Sequence, residues 1–414
     1  MKRLICLACT AVGLLFTGCG DNTIRETIEY MVNEPVFMPA ADFRNLPVQT
    51  TAAKEIKTRG KLCFYEGYLY ISEPGSGIHI IDNRNPSSPA AVGFVELLGN
   101  ADIAIRNGKL YADAFVDLLW FDISNAAEPQ LLGRVENLFT DALPVIDNGY
   151  GCDYSMLTPE SIGNNIVVGW TVKKRIEEIV RHPNDEMLAD VSSNGQANGA
   201  NGSMSRFGLY KDYLYAVMNY QMSIIDLSGT EPVKAIESIY IGDVETIFSY
   251  KDNLFLGTPT GMSIFSVANP VAPVRMSTVW HVYGCDPVVV DNDLAYVTVH
   301  SGNTCGQNNN ELLIIDVSDV ESPKLLVSYT MTRPKGLGID RGTLFLCDEG
   351  LKVYKLGNPQ ELMANRLAYF ADMEGYDVVP YNDVLMMIAD DGLYQYDYSD
   401  LEKISLLSKI SIVK

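Results

Sequence analysis

The sequence predicts an all-β fold, a seven-bladed β-propeller of four-stranded blades with a loop or hairpin insertion after blade two. A short apolar pentad occurs seven times in the 414 residues, and each copy lies among similar apolar runs and turns. The copies start 40, 104, 40, 50, 39 and 42 residues apart. Four short strands in a period of about 40 residues are typical of a propeller blade. The interval of 104 residues is one period plus an insertion of roughly 64 residues.

The pentad is predicted to be the third strand of each blade. It is apolar at nearly every position, because the middle strands of a blade are covered on both faces by neighbouring blades. In five copies it closes with an aspartate, whose carboxylate can accept hydrogen bonds from backbone N–H groups of the following turn. The copies are residues 78–82, 118–122, 222–226, 262–266, 312–316, 351–355 and 393–397.

A proline is predicted to open the fourth strand in five blades. Proline cannot donate to a strand ladder, so it belongs on an edge strand or at the first residue of one. A β-sandwich would not repeat seven times, and a β-helix turn is shorter than about 40 residues, so the propeller is favoured over both. The prolines are Pro89, Pro129, Pro232, Pro273 and Pro323.

Composition narrows the function classes. Hydrophobic residues make up 47% of the chain and charged residues 20%, which indicates a packed globular core. The net charge of −21 argues against a nucleic-acid partner, because such affinity comes mostly from Lys and Arg neutralising phosphates. It argues equally against electrostatic binding to anionic lipid.

The N-terminal residues indicate export and lipidation. Lys2 and Arg3 precede an apolar run, residues 4–16, that is too short to span a bilayer. The stretch "LLFTGC" ending in Cys19 resembles a bacterial lipobox, which implies that Cys19 is the lipidated first residue of the mature protein. The alternative is an ordinary secretory signal. Removal of residues 1–18 takes the net charge from −21 to −23, since Lys2 and Arg3 are lost with no acidic residue.

These signals divide the chain. Residues 1–18 are predicted to be the lipoprotein signal peptide, 19–48 a lipidated tether and 49–414 the propeller, with the insertion at about 138–202. Apolar residues within the tether are expected to dock onto the domain. We expect a cell-envelope protein, anchored to the outer membrane on its periplasmic side or at the cell surface.

The insertion contains "NNIVVGWTVKKRIEEIV", which predicts an extra β-hairpin or strand. It leads into an innermost strand, so it should lie on the face where those strands begin. Its aromatic residues Tyr150, Tyr154 and Trp170 either stack on a sugar or cover the mouth of the propeller.

The repeats also resemble a known family. "IIDNRNPSSP", "FDISNAAEP" and "IIDVSDVESP" are similar to the LVIVD repeat of bacterial β-propeller lipoproteins. "EYMVNEPVFMPAADFR", "SGNTCG" and "DDGLYQYDYSD" resemble a subgroup of cell-surface lipoproteins of Gram-negative bacteria. The resemblance implies a fold and a location, and it assigns no activity to any residue.

Candidate binding residues come from aligning the starts of the innermost strands, which line the channel of a propeller. The aligned side chains include bases, acids and a hydroxyl group. They form either a salt-bridge network that satisfies its own charges or a polar funnel for a small anionic or sugar-like ligand. The residues are Lys61, Asp102, Arg206, Thr246 with its neighbour Glu245, Asp286, Lys335 and Asp377.

Blade five differs most from the other copies. His281 and His300 are candidate rim residues, as is Trp170 of the insertion. The spacing of Cys285 and Cys305 fits no standard zinc pattern, and the export signal favours a disulfide between them, with a metal site or free thiols as alternatives.

The remaining cysteines and a search for catalytic motifs do not indicate a function. Cys63 and Cys347 lie in apolar strands and are expected to be buried thiols, and Cys152 has no assigned role. The sequence contains no Gly-x-Ser-x-Gly elbow and no phosphate-binding glycine loop.

We therefore favour a non-enzymatic, lipid-anchored scaffold that binds an envelope protein or a carbohydrate, with no cofactor. One alternative is a carbohydrate-active hydrolase or lyase that uses channel carboxylates such as Asp372, Glu374 and Asp377. The other is a purely structural envelope component.

Overall fold

The computed structural model describes residues 24–140, 142–146, 148–181, 206–218, 220–280, 287–300 and 310–413, with backbone alone at 24–26 and 178–181. Within this part of the chain, seven antiparallel sheets form the blades and a two-stranded ribbon stands apart from them. The predicted seven-bladed propeller of four-stranded blades is confirmed.

The elements follow in chain order, and within each blade the first strand is innermost. Before blade one lie β1 (Ile24–Pro39), α1 (Ala40–Arg44) and β2 (Thr50–Thr51). Blade one is β3 (Leu62–Tyr65), β4 (Tyr68–Glu73), β5 (Gly77–Asp82) and β6 (Ala90–Glu96), with β2 added at its outer edge. Blade two is β7 (Ile103–Arg106), β8 (Lys109–Ala114), β9 (Asp117–Asp122) and β10 (Gln130–Val135). The insertion holds a 3₁₀ helix (Tyr154–Met156), α2 (Pro159–Ile162) and β11 (Asn165–Arg181).

The remaining five blades follow the insertion. Blade three is β12 (Phe207–Tyr210), β13 (Tyr213–Met218), β14 (Gln221–Asp226) and a broken outer strand, β15 (Val233–Lys234) and β16 (Ile239–Tyr240). Blade four is β17 (Thr246–Tyr250), β18 (Asn253–Thr258), β19 (Gly261–Ser266) and β20 (Val274–Trp280). Blade five is β21 (Val288–Asp291), β22 (Leu294–Val299), β23 (Glu311–Asp316) and β24 (Lys324–Thr330). Blade six is β25 (Pro334–Asp340), β26 (Thr343–Asp348), β27 (Leu351–Lys355) and, after a 3₁₀ helix (Pro359–Asn365), β28 (Arg366–Phe370). Blade seven is β29 (Gly375–Tyr381), β30 (Val384–Ala389), β31 (Gly392–Asp397) and β32 (Ser405–Ser411).

Every pentad lies in a third strand, as predicted. Its apolar side chains are buried between blades: Ile78, Ile264 and Ile314 are 0% exposed. Each of the seven blade-to-blade interfaces of the described residues holds its own apolar cluster, including the one between blades seven and one. Because each buried Ile or Leu contributes about 1.5–3 kcal/mol, the repeated pentad stabilises the closed ring.

The turn after the pentad is held by its closing aspartate, also as predicted. In five blades the carboxylate accepts a hydrogen bond from the backbone N–H two residues on, and bonds from that residue's side chain and backbone lower the pKa of the aspartate. The pairs are Asp82–Arg84 (3.1 Å), Asp122–Ser124 (2.8 Å), Asp226–Ser228 (2.8 Å), Asp316–Ser318 (2.9 Å) and Asp397–Ser399 (2.8 Å).

The outer strands manage their open edges in two ways. Each predicted strand-opening proline is followed at once by an outer strand, so that prediction is confirmed. In all blades but blade three, the outer strand also bulges opposite the end of the pentad, for example between Ile80 and Ile81 of its partner strand. Bulges twist an edge strand and hinder its pairing with another chain.

Blade seven meets blade one without exchanging strands. The buried side-chain amides of Asn83 and Gln395 bond to each other twice, with Nδ2 to Oε1 at 2.8 Å and Nε2 to Oδ1 at 2.7 Å. A parallel bridge between Ile56 and Ile412 ties the chain end to the segment before blade one. These contacts close the ring beyond the apolar packing.

The segment predicted to be a tether is structured where it is described. β1 pairs with β11 of the insertion along its whole length, from Ile24 opposite Arg181 to Pro39 opposite Asn165. β11 is the extra strand predicted for the insertion. After the ribbon, α1 places Phe43, 2% exposed, in the cluster between blades one and two. Among the helices of the described residues, none is long and apolar enough to cross a membrane.

Candidate functional site

The innermost strands begin on one face of the ring, which we call the channel mouth. The residue paired at the start of the innermost strand is Lys61, Asp102, Arg206, Thr246, Pro287 and Asp377 in blades one to five and seven. The alignment from sequence therefore holds for five blades. In blade six a bulge between Pro334 and Leu337 sets two residues, Lys335 and Gly336, at this position. Asp286 lies outside the described residues, and Pro287 holds the equivalent position.

A buried charge network occupies the mouth between blades two and three. Asp102 is 1% exposed, and its carboxylate accepts hydrogen bonds from the backbone N–H groups of Ile103 (2.8 Å) and Arg206. Asp113, 2% exposed, accepts from the N–H of Asp102 at 2.9 Å and from the Arg206 guanidinium at 3.4 Å. Its other partners are Asn100 Nδ2 at 3.1 Å and the N–H of Ala101 at 2.6 Å.

Burial shifts the ionisation of this network. Loss of hydration raises the pKa of Asp102 to about 6, although the cations of Lys61 and Arg206 oppose the shift. Burial likewise raises the pKa of Asp113 against the attraction of Arg206. Burial acts to lower the pKa of Lys61, but the carboxylates of Asp102 and Asp377 outweigh it and the pKa is raised. The ammonium of Lys61 is therefore charged at neutral pH.

Lys61 differs from the other cations of the mouth in its contacts. Arg206 is engaged by Asp113, and Lys335 lies 3.0 Å from Glu374. The carbonyl of Lys61 accepts the strand bond from Ser72, but its ammonium makes no hydrogen bond and no ion pair with any residue of the described ranges. Its half-buried ammonium faces the central cavity.

The cavity below the mouth has a volume of about 560 Å³ and is lined by the innermost strands of blades three to seven together with Lys61. Thr246 and Asp377 line it at the mouth, and Asp291 and Arg341 at the opposite end. Its walls between them carry apolar side chains such as Phe207 and Val288. A volume of this order suits a small polar molecule or an inserted side chain.

A second charged cluster lies where blades six, seven and one meet. The Arg59 guanidinium stacks over the Tyr376 ring at 3.9 Å, and Lys335 Nζ lies 5.7 Å from the same ring. Arg59 also pairs with Asp390, and Arg333 joins Lys335 on Glu374 at 2.9 Å. The mouth thus combines features of both hypotheses from the sequence. Most of its charges satisfy one another in a network, and the ammonium of Lys61 faces a cavity.

The rim residues predicted from sequence have different outcomes. His300 is 5% exposed, so it does not present its ring at the surface. Trp170 lies on the ribbon opposite Pro35, and its indole N–H donates to Pro144 O at 2.9 Å. His281, Cys285 and Cys305, with the predicted disulfide, lie outside the described residues. In the ranges that are described, no three His, Cys, Asp or Glu side chains converge as a metal site would.

Both cysteines expected to be buried thiols lie in strands, where Cys347 is buried as predicted and Cys63 is half-buried. Cys347 is 0% exposed, and Cys63 Sγ donates to Ile103 O at 3.4 Å. Burial raises the pKa of Cys63 to about 12, so its thiol is protonated and weakly nucleophilic at neutral pH.

Sequence reasoning missed Asp113, which organises the mouth as much as Asp102 does. The signal was present in "GKLYADAF", where one aspartate interrupts an apolar second strand. A charge at a fully covered strand position requires several hydrogen bonds, and Asp113 receives them.

Comparison with known proteins agrees with this fold. A family model described as the LVIVD repeat matches residues 60–96 and 287–331, which are blades one and five. The LVIVD repeat recognised in the sequence is therefore confirmed in these two blades. No curated protein matches the chain by sequence.

Several solved structures are similar in shape. The computationally designed Ika8 protein has a TM-score of 0.51 at 9% identity, with 88% of this chain and 92% of that chain covered. Hsv2p of Kluyveromyces lactis has a TM-score of 0.45 at 12% identity, with 85% and 98% covered. AztD of Citrobacter koseri has a TM-score of 0.41 at 10% identity, with 88% and 86% covered. The similarity to Ika8 concerns the fold alone. We draw no conclusion from the two structures with TM-scores of 0.45 and 0.41.

Proposed function

We propose that this protein is a lipid-anchored binding scaffold of the bacterial cell envelope, which holds a ligand or a partner protein at the channel mouth and carries out no reaction itself. The observation that carries the proposal is the ammonium of Lys61. It is charged, half-buried and directed at a cavity of about 560 Å³, while neighbouring cations are engaged by carboxylates.

The surrounding network supports binding over catalysis. Burial raises the pKa of Asp102 to about 6, but this residue is 1% exposed and both its carboxylate oxygens accept backbone N–H bonds. A general acid must reach a bound substrate within hydrogen-bonding distance. Asp102 is instead placed to fix Arg206 and to hold Lys61 in the charged form.

Co-purification of partners or ligands with the protein extracted from its own membrane tests the binding site. Lys61→Met keeps the length of the side chain and removes its charge. We expect the protein, extracted from its own membrane, to lose at least about tenfold of its co-purified partner or ligand, since a hydrogen bond to a charged group contributes about 1.5–3 kcal/mol. Lys211→Met, which removes an exposed lysine at the other end of blade three, is the control. Equal recovery by Lys61→Met and the wild type would refute the mouth as the binding site.

Anchoring is tested separately. If Cys19 carries the lipid, Cys19→Ser should move the protein from the membrane fraction to the soluble envelope fraction and abolish incorporation of labelled fatty acid. Incorporation of label by Cys19→Ser at the wild-type level would contradict the proposed anchor, and it would leave the binding test unaffected.

A further inference from the structure

Exposed aromatic residues concentrate on the channel-mouth face of blades three and four. Trp280 is 73% exposed and Tyr240 is 76% exposed, and each is the last residue of an outer strand. Only five residues of chain lie between Tyr240 and Thr246 at the mouth. Leaving such large rings in water gives up an apolar burial of roughly 150–250 Å² each.

Tyr240 and Trp280 occupy the same position of their blades. Tyr240 pairs with Gln221 at the start of one third strand, and Trp280 pairs with Gly261 at the start of the next. Architecture does not require a ring there, because the equivalent residues of the other five blades are Glu96, Glu136, Thr330, Ala371 and Ser411. The two rings therefore stand on adjacent blades for a reason other than folding.

A further exposed tyrosine lies beside Tyr240 in the same blade. Tyr220, 41% exposed, precedes Gln221 and accepts the N–H of Ile241 at its carbonyl at 2.8 Å. It is held at φ 68°, a left-handed conformation that is costly for a non-glycine residue and is common at functional sites.

We infer that this aromatic row, formed by Tyr220, Tyr240 and Trp280, binds a neutral carbohydrate chain. The inference rests on the proposed binding function and names its ligand class. Sugar rings present C–H faces that stack on aromatic rings, and their hydroxyl groups bond to polar side chains between the rings.

The surroundings of the row favour a sugar over a protein. The core of a protein interface is a continuous apolar area poor in charge. Here the rings alternate with polar groups: Gln221 lies beside Tyr240, and exposed Asp243 and half-buried Glu245 follow it toward the mouth. The net charge of −21 disfavours anionic polymers, which leaves neutral glycans.

Calorimetric titration of the detergent-solubilised full chain with neutral hexasaccharides tests the inference. The probes are β-linked glucose, β-linked N-acetylglucosamine and α-linked mannose. We expect at least one Kd below about 1 mM. Trp280→Ala and Tyr240→Ala should each raise it about tenfold or more, as for aromatic hot spots. Tyr381→Ala, which removes a tyrosine that is 45% exposed at the far end of the channel, should leave it within about twofold.

Fluorescence provides a second readout that needs no substitution. The chain has three tryptophans. Besides Trp280 they are Trp120, which is 5% exposed, and Trp170, which is half-buried. Bound sugar should protect the exposed Trp280 from acrylamide quenching. Absence of binding by all three probes, or unchanged affinity in both alanine variants, overturns the inference. Neither result would refute the proposed function, because that function is tested by the Lys61→Met comparison and the Lys61 site does not include the aromatic row.

Discussion

Asp102 accepts a hydrogen bond from the backbone N–H of Arg206, and this bond joins the start of blade two to the start of blade three. The two residues are 104 positions apart because the insertion lies between their blades. The bond therefore fixes the point at which the chain returns from the insertion to the ring. The acceptor is a buried carboxylate, and its ionisation should make the stability of the protein depend on pH.

Asp102→Asn should change the pH dependence of stability. The folded pKa is raised to about 6 by burial, above the ordinary value of 3.8. Stability from this group is thus fully present below about pH 4 and is lost as the pH rises through about 6, by up to about 3 kcal/mol. Urea unfolding from pH 4 to 7 should show the wild type weakening relative to Asp102→Asn. Parallel curves would contradict the raised pKa.

The ring closure at Asn83 and Gln395 should be strongly coupled. Both amides are buried and bond to each other, so removing Gln395 leaves the Asn83 amide without this partner, and removing Asn83 leaves Gln395 Oε1 without its donor although Nε2 keeps Ser408 Oγ at 3.2 Å. Gln395→Ala and Asn83→Ala should each cost about 1–3 kcal/mol in the free energy of unfolding. The double variant should cost clearly less than the sum of the two, since it leaves no orphaned amide. Additive costs in chemical denaturation would show that the pair does not act as a unit.

Features of this fold could be predicted from the sequence where they depend on interactions between residues close in sequence. The seven pentads, the turn aspartates and the strand-opening prolines could be predicted because each depends on local burial or local hydrogen bonding. Pairing of Ile24 with Arg181 depends on two segments that are distant in sequence and carry no mutual signal.

Small shifts of register limited the candidate site. The bulge before Leu337 sets Gly336 beside Lys335 at the mouth position, and the strand break in blade three hid the equivalence of Tyr240 and Trp280. A bulge adds one residue without changing the hydrophobic pattern, so the sequence does not reveal it. The mouth was found from sequence to within one residue, but its hydrogen bonds were not.

Arg44 should hold the ribbon segment on the propeller. Its guanidinium donates two 3.0 Å hydrogen bonds to Asp117, which is 0% exposed and also receives Arg134 at 2.8 Å. Arg44→Ala should speed hydrogen exchange in β1 and α1 with little change in the blades, since Arg134 still pairs with Asp117. Lys174→Ala, which breaks an exposed pair with Glu29, should change exchange little. Unchanged protection of α1 in Arg44→Ala would refute this docking role.

Gly336 is where a side chain cannot be added without moving the mouth. A Cβ atom there would lie 2.6 Å from Asp377 Oδ1 and 2.7 Å from the carbonyl oxygen of Tyr376. Gly336→Ala should therefore lower the free energy of unfolding by about 1–3 kcal/mol, as overpacking does. It should also weaken ligand binding at Lys61, because Asp377 lines the same cavity. Gly357→Ala is the matched control, with nothing within 4 Å of the added atom. Equal stabilities of the two variants would show that blades six and seven separate at the mouth without cost.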